Sequence, residues 1–249
     1  PVFIFDGKPP KEKYALLEER RNKKKLAKDH YLNLKNKLIE LKKVESVNNK
    51  EMILKLESLM KEEYKKTIKV TYENVKEAKC LIKAYGACYL DAEGEADVLC
   101  AELVKNKVVY GCLSEDMDMF VYGCNRIFRD INIYNETLQY YDYFKILKEL
   151  KMSSKEFREI CVYAGTDYNK GINIYNTYKL FKLFKKSKEN EFYEWLIKQN
   201  YISDAIKLYQ IYFMFDIIEK KRKIKFELKS IDVSILNSIL KKNGFIVYE

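Results

Sequence analysis

DAEGEADVLCAELVKNKVVYGCLSEDMDMFVYG, residues 91–123, sets eight carboxylates (Asp91, Glu93, Glu95, Asp97, Glu102, Glu115, Asp116, Asp118) against two lysines (Lys105, Lys107) in an otherwise apolar frame. The chain around it has 249 residues and a formal net charge of +10. Acids crowded among apolar side chains must be protonated, solvated or neutralised by cations. Two pairs spaced i, i+2, Glu95 with Asp97 and Asp116 with Asp118, point to cations.

Working outward, the pattern on either side of this stretch is α/β. Val2-Phe3-Ile4-Phe5 is an apolar, β-favouring run that stops at Asp6-Gly7, and its lack of alternation predicts a strand buried on both faces. Cys88–Leu90 reads as a short strand, Glu93–Asn106 as a helix, Val108–Leu113 as a continuous apolar strand and Glu115–Val121 as a short helix. Arg126–Ile133 and Thr137–Tyr141 read as two further strands forming a hairpin through Asn135-Glu136. Strands alternating with helices predict a mostly parallel sheet covered on both faces.

Lys11–Lys43 reads as one long charged helix, Val44–Asn49 as a break, and 50–85 as a second helical stretch. After Asp142 the pattern is helical: Tyr143–Leu150, Ser153–Ala164 with a Ser153/Glu156 capping box, Asn176–Ser187, Glu189–Gln199 and Asp204–Ile218. Ile224–Leu228 reads as a strand and Asp232–Asn243 as a helix stopped by Gly244.

Between Lys8 and Lys43 thirteen Lys/Arg face five Asp/Glu, and Lys220–Lys223 with Lys225 form a second basic run. Basic segments flanking an acidic centre suit a polyanion held against bound cations, although charged helix faces are commonly just solvated. Six cysteines, at 80, 88, 100, 112, 124 and 161, include no C-x-x-C pair, and His30 is the only histidine. That argues against structural zinc and for reduced cysteines used as small core residues. With no signal segment and no apolar run near the ~18 residues a bilayer requires, the expectation is an intracellular protein without a membrane partner.

The chemistry gathers on six acids from four places. Asp116 and Asp118 follow an apolar strand, where α/β sheets place their sites. Asp6 ends its own strand, and Asp167 follows the helix ending at Ala164. Glu95 or Asp97 taken alone reads as a helix-start acid. Two close pairs beside buried strands read better as ligands for magnesium, which takes oxygen donors and keeps several waters. Two such ions ~3.5–4 Å apart can grip one phosphodiester. A phosphatase using Asp116 as nucleophile would leave Glu95, Asp97 and the basic helix unexplained.

Gly94-Glu95-Ala96-Asp97, Ser114-Glu115-Asp116-Met117-Asp118 and Gly165-Thr166-Asp167-Tyr168, in that order, resemble the internal region of the flap endonucleases, the 5′ nuclease family that includes the xeroderma pigmentosum group G nuclease. The opening Val2-Phe3-Ile4-Phe5-Asp6-Gly7-Lys8-Pro9-Pro10 resembles the end of that family's N-terminal region. The resemblance implies a PIN-like 5′-nuclease fold, with a nuclease core over 1–141, a helical arch over about 11–85, an internal region from about 86 and a helical DNA-binding region over 142–249. It implies Mg²⁺-dependent hydrolysis of branched or 5′-flap DNA in replication and repair, with two ions for which Mn²⁺ can substitute. Asp6, Glu95, Asp97, Asp116, Asp118 and Asp167 fall on its metal-ligand positions, and Lys13 and Arg20 match the basic residues that hold the scissile phosphate. Seven apart, these two would share one helix face. Residues 21–43 would arch over a threaded 5′ strand, in the nucleus of a eukaryote or at a viral replication site.

The sequence departs from the family pattern in three places. The resemblance implies a further ligand Asp on an earlier strand, and this sequence opens after it. The turn glycines that grip duplex and a potassium ion are replaced by Ile174 and Asn176, and the following proline by Thr177, leaving Lys170 and Lys179 as phosphate contacts. No Q-x-x-[LIM]-x-x-[FY]-[FY] sliding-clamp motif occurs in the sequence. The alternative function is a related protein that binds branched DNA without cleaving it.

Overall fold

The computed structural model describes residues 1–43, 49–217, 224 and 226–246. The expected break at Val44–Asn49, apart from Asn49, and the basic run Lys220–Lys223 with Lys225 lie outside these. The chain divides into two compact units, Pro1–Pro10 with Ala87–Lys229, and Lys11–Gly86 with Ser230–Glu249.

In the first unit, strand β1 (Val2–Phe5) pairs in parallel with β2 (Cys88–Asp91), Val2 opposite Cys88 and Phe5 opposite Asp91. The loops that follow them are laced together: the Gly7 N–H donates to the Gly94 carbonyl at 2.6 Å and the Lys8 N–H to the Glu93 carbonyl at 3.2 Å. Helix α4 (Ala96–Lys105) begins there and buries Leu99, Leu103 and Val104. The predicted strand Val108–Leu113 shrinks to β3 (Cys112–Leu113). The N–H groups of Val108 and Val109 turn back onto the Leu103 carbonyl, at 2.9 and 3.3 Å, after a left-handed Lys107, so they are lost to any sheet ladder.

β3 runs parallel to β4 (Arg126–Asn132), which pairs antiparallel with β5 (Thr137–Asp142), as the predicted hairpin requires. The expected α/β architecture is present, but its strands form two small sheets, β1–β2 and β3–β4–β5. Val2 and Ile4 of β1 and Cys112 and Leu113 of β3 line one apolar cavity of about 740 Å³. Among the described residues neither strand has a partner on its second edge.

The predicted helix Glu115–Val121 is one turn, α5 (Asp118–Val121). Beyond β5 come α6 (Tyr143–Leu150), α7 (Ser154–Ala164), α8 (Ile174–Ser187), α9 (Phe192–Lys198) and α10 (Ile206–Met214). Ser153 and Glu156 form the predicted capping box of α7. The helices close on an aromatic core in which Phe192, Tyr193, Leu196 and Phe215 are fully buried. Phe181, Phe184 and Trp195 pack around Phe192 at centroid distances of 5.3–6.3 Å; each such ring contributes about 1.5–3 kcal/mol. The predicted strand Ile224–Leu228 has no strand among its described residues. Ile224 and Phe226 instead pack on Leu99 and Leu103, and the Cys88 thiol takes up the Glu227 carbonyl at 2.9 Å.

In the second unit a 3-10 turn (Lys11–Lys13) leads into α1 (Tyr14–Lys43), which pairs with α2 (Asn49–Thr67) through a Lys42–Glu57 ion pair at 2.8 Å and a Tyr31–Tyr64 ring contact at 5.5 Å. The helical stretch expected over 50–85 is two helices. Thr71 and Asn74 form a capping box that starts α3 (Tyr72–Ala84) and so ends the run. The helix predicted over Asp232–Asn243 is α11 (Val233–Lys242), capped by the Asp232 side chain, and it packs on α3 with Lys242 paired to Glu77 at 2.9 Å.

The turn from α7 to α8 is backbone against backbone. A Cβ on Gly171 would stand 2.0 Å from the Ala164 carbonyl carbon and 2.1 Å from the Gly165 nitrogen, and Gly165 itself has φ +119°. Gly171→Ala is therefore expected to cost about 2–4 kcal/mol, read by urea denaturation; an unchanged midpoint would show that the turn yields freely.

Glu159 on α7 is 2% exposed. Burial pushes its carboxyl up from the usual 4.5 to about 7; the Lys155 ammonium pulls the other way, while Glu191 and Glu156 add repulsion. The folded protein thus holds this proton more tightly than the unfolded chain. The stability contributed is full below 4.5 and lost as pH rises through about 7. Glu159→Gln is expected to gain about 1–3 kcal/mol on the parent between about pH 4.5 and pH 8. Denaturation curves of the pair at both pH values check this, and parallel pH profiles would refute it.

Candidate functional site

Helix α4 opens with N–H groups that have no partner within the helix, and acids collect on them. Asp6, at the end of β1, accepts the Ala96 N–H on Oδ1 at 2.8 Å, so a strand ninety residues upstream caps this helix. Glu95 is the N-cap residue, yet its side chain makes no cap bond, and Asp97 lies in the first turn. Asp6 and Asp97 share a neighbourhood: both help hold the Cys100 thiol up, behind the larger effects of the Cys112 hydrogen bond and burial.

The second pair stands on the link from β3 to α5. Asp116 donates its N–H to Ser114 Oγ at 3.1 Å and accepts the Asp118 N–H on Oδ1 at 2.8 Å. Glu115, between the pairs in sequence, is drawn off to β4: its Oε1 accepts the Asp130 N–H at 2.8 Å and its carbonyl accepts from Arg129 at 2.7 Å.

Asp167 sits in a tight turn after α7. There Asn169 Oδ1 accepts the Thr166 N–H at 3.2 Å and the Thr166 hydroxyl at 2.7 Å. That turn aims Tyr168 inward, where its hydroxyl donates to Glu95 Oε2 and meets the Tyr122 hydroxyl at 3.3 Å. Burial pushes the Tyr122 phenol up; Tyr168 opposes this, and Glu95, Asp118 and Asp97, in that order, push it further. The negative charges of Glu95, Asp118 and Asp97 are thus felt at one buried phenol. The sequence reading did not single out Tyr122 or Tyr168 as functional; the sole signal was Tyr168's place in Gly165–Tyr168.

The donors are all carboxylate oxygens, the chemistry a hard divalent cation requires. Asp6 and Asp116 each commit one oxygen to a backbone N–H, leaving the second for a ligand. Among the described residues no three His, Cys, Asp or Glu side chains are grouped closely enough to hold one ion. The arrangement fits a cation held by one or two carboxylates and completed by water or phosphate; it does not form a closed protein cage.

Of the predicted basic residues, Lys13 ends the 3-10 turn and Arg20 lies on α1 in the second unit, so the two do not share one α-helix. Lys170 is exposed in the α7–α8 turn and Lys179 Nζ lies 4.3 Å from the Tyr175 ring. Just before the replaced turn positions Asn173 caps α8, its Oδ1 accepting the Tyr175 N–H at 2.8 Å, and at the last of them Thr177 is fully buried. None of the described helices is long and apolar enough to cross a membrane.

Residues 86–167 match the XPG I-region family. Flap endonuclease 1 of Methanococcus aeolicus is 34% identical over 172 residues, 69% of this chain and 47% of that protein. Flap endonuclease 1 of Chlamydomonas reinhardtii is 31% identical over 171 residues, 68% of this chain and 39% of that protein. The chain thus spans less than half the length of these curated relatives. The catalytic core of Rad2, solved in complex with DNA substrate, superposes with a TM-score of 0.63 at 21% identity, covering 97% of this chain and 73% of that one, which shows the fold. With the acidic motifs in order through Asp167, where the matched region ends, the chain belongs to the flap endonuclease and xeroderma pigmentosum group G family.

Proposed function

We propose that this chain is a structure-specific 5′ nuclease that hydrolyses phosphodiester bonds of branched or 5′-flap DNA with divalent metal, Mg²⁺ or in substitution Mn²⁺. The observation that carries the reading is the meeting of three acids at the start of α4, where Asp6 accepts the Ala96 N–H, Glu95 is the N-cap residue held by the Tyr168 hydroxyl and Asp97 lies in the first turn. Relatives named flap endonuclease 1 support it, as does a fold-mate solved on DNA substrate.

Two bound cations would supply charge neutralisation at the phosphate and a water of lowered pKa. The residues of the chain divide the remaining work. Glu95, Asp97, Asp116, Asp118, Asp6 and Asp167 offer the carboxylate oxygens. Tyr168 holds the Glu95 carboxylate in one orientation, as the hydrogen-bond partners of metal ligands do. Lys13 and Arg20 bring positive charge to the scissile phosphate, where it counts most as negative charge builds on the transferred oxygens. Residues 21–43 arch over a single strand, and Lys170 and Lys179 touch duplex phosphates.

A second reading is binding of branched DNA without cleavage. The readings separate on one labelled 5′-flap DNA: binding alone, or cleavage near the junction that requires Mg²⁺. On the nuclease reading Asp116→Asn and Asp118→Asn are each expected to slow cleavage by about 100-fold or more; a rate unchanged in both variants would sink the site.

Tyr168→Phe keeps the ring packed on Phe215, 5.4 Å away, and removes only the hydroxyl. As a positioning residue for Glu95, Tyr168 should influence the Mg²⁺ dependence more than the melting temperature. The variant is expected to require about 10–100-fold more Mg²⁺ for half-maximal rate. An unchanged Mg²⁺ titration would leave Tyr168 a packing residue only.

A further inference from the structure

The link from β3 to α5 carries Asp116 and Asp118, and β4 grips it with three successive residues. The Ser114 N–H donates to the Phe128 carbonyl at 3.1 Å, which extends the parallel pairing one residue beyond β3. Arg129 Nη2 donates to the Glu115 carbonyl at 2.7 Å, and its Nη1 donates to the Met117 sulfur. The Asp130 N–H donates to Glu115 Oε1 at 2.8 Å. The guanidinium therefore straddles Asp116, holding the residue before it with one nitrogen and the residue after it with the other.

The Asp130 bond coincides with a break in regular strand geometry. Arg129 faces Gln139 and Asn132 faces Thr137, so β4 takes three steps where β5 takes two. Within that bulge Asp130 is left-handed, with φ 50°. Such a backbone is uncommon away from glycine and persists where a neighbour fixes it, and bulges re-aim groups beside functional sites. Here the neighbour is the Glu115 carboxylate.

Stability alone does not account for the arrangement. The Glu115 side chain is 60% exposed and Arg129 Nε stands 3.6 Å from its Oε2, so the ion pair contributes little to folding. What the bonds fix is the path of the backbone on both sides of Asp116. Charge gives Arg129 a second task. Glu115 is a third acid beside the Asp116–Asp118 pair, with the same oxygen chemistry. Bonded to the Asp130 N–H and lying beside the guanidinium, its carboxylate is turned to β4 and away from competition for a cation.

We propose that Arg129, acting with Glu115 and the bulge of β4, is a positioning residue for Asp116 and Asp118: it sets their loop for a divalent cation and withholds Glu115 from that ion. The proposal rests on the metal-site part of the reading above. Partners that orient metal ligands are worth about 10–100-fold in metal affinity. Arg129 acts one step further back, through the backbone that carries the ligands.

The test reads Mn²⁺ binding to the 249-residue chain from the electron paramagnetic resonance signal of the free ion, together with the thermal midpoint. Arg129→Met keeps an unbranched stem and removes the fork. It is expected to weaken Mn²⁺ binding about 10–30-fold, with the midpoint lowered by no more than about 3 °C. Arg129→Lys keeps stem and charge without the fork, and is expected to restore binding only to about 3–10-fold below the parent. Should Arg129→Met fail to fold, Arg129→Lys alone decides. If the parent binds Mn²⁺ and the Arg129 variants bind it as tightly, the proposal is overturned while the metal site stands, whether or not the midpoint moves. On 5′-flap DNA, the rate lost by either variant should return as Mg²⁺ is raised. A loss that Mg²⁺ does not repair, with Mn²⁺ binding unchanged, assigns Arg129 to the substrate and also overturns the proposal. If the parent binds no Mn²⁺, or Asp116→Asn binds it as the parent does, the metal-site reading fails and the proposal with it. A parent that binds Mn²⁺ yet leaves flap DNA intact refutes the nuclease reading, and the binding comparison still decides the role of Arg129.

Discussion

A helix start with unfilled N–H donors and a strand end that must turn meet in one place, and the first unit is built from that meeting. The Ala96 N–H needs an acceptor and Asp6 supplies it, while the Gly7 and Lys8 N–H groups reach across to the Gly94 and Glu93 carbonyls. These bonds clamp the segment after β1 to the segment after β2, so the parallel pairing of the strands and the first turn of α4 are set together. Glu95 and Asp97 inherit their positions from that clamp. Capping a helix and presenting carboxylates are the same act here, because a helix N-terminus is one of the few places where several acids can crowd at low energy.

The sequence revealed elements whose cause lies within a few residues and missed those whose cause lies far away. The capping pair Ser153 and Glu156 stands three residues apart, and the structure builds it as read. The hairpin of β4 and β5 was likewise visible as two strand-like runs joined through Asn135-Glu136. The strand expected over Val108–Leu113 failed because a left-handed Lys107 bends the first two donors back to Leu103, a choice that side-chain pattern does not record. The single sheet expected from alternating strands and helices appears as two, with an apolar cavity between facing edges.

The candidate site divides in the same way. Carboxylates two apart are conspicuous in any listing of residues, and the helix and strand ends they occupy follow from periodicity. The tyrosines are not conspicuous in a chain with 21 of them. Tyr168 meets Glu95 across 73 positions and Tyr122 across 46, so only the closed fold distinguishes them from core filler. Glu115, an acid inside the motif but in neither pair, serves the β4 backbone and Arg129.

A phenol has one proton, and that gives the Tyr122–Tyr168–Glu95 chain a direction. Tyr168 spends its proton on Glu95, so the 3.3 Å contact with Tyr122 must be donated from the Tyr122 side. The polarity runs outward from the core to the carboxylate. Phe215 packs against both rings, 4.7 Å from Tyr122 and 5.4 Å from Tyr168, so the orientation of an acid at a helix start is tied to the packing of the aromatic core.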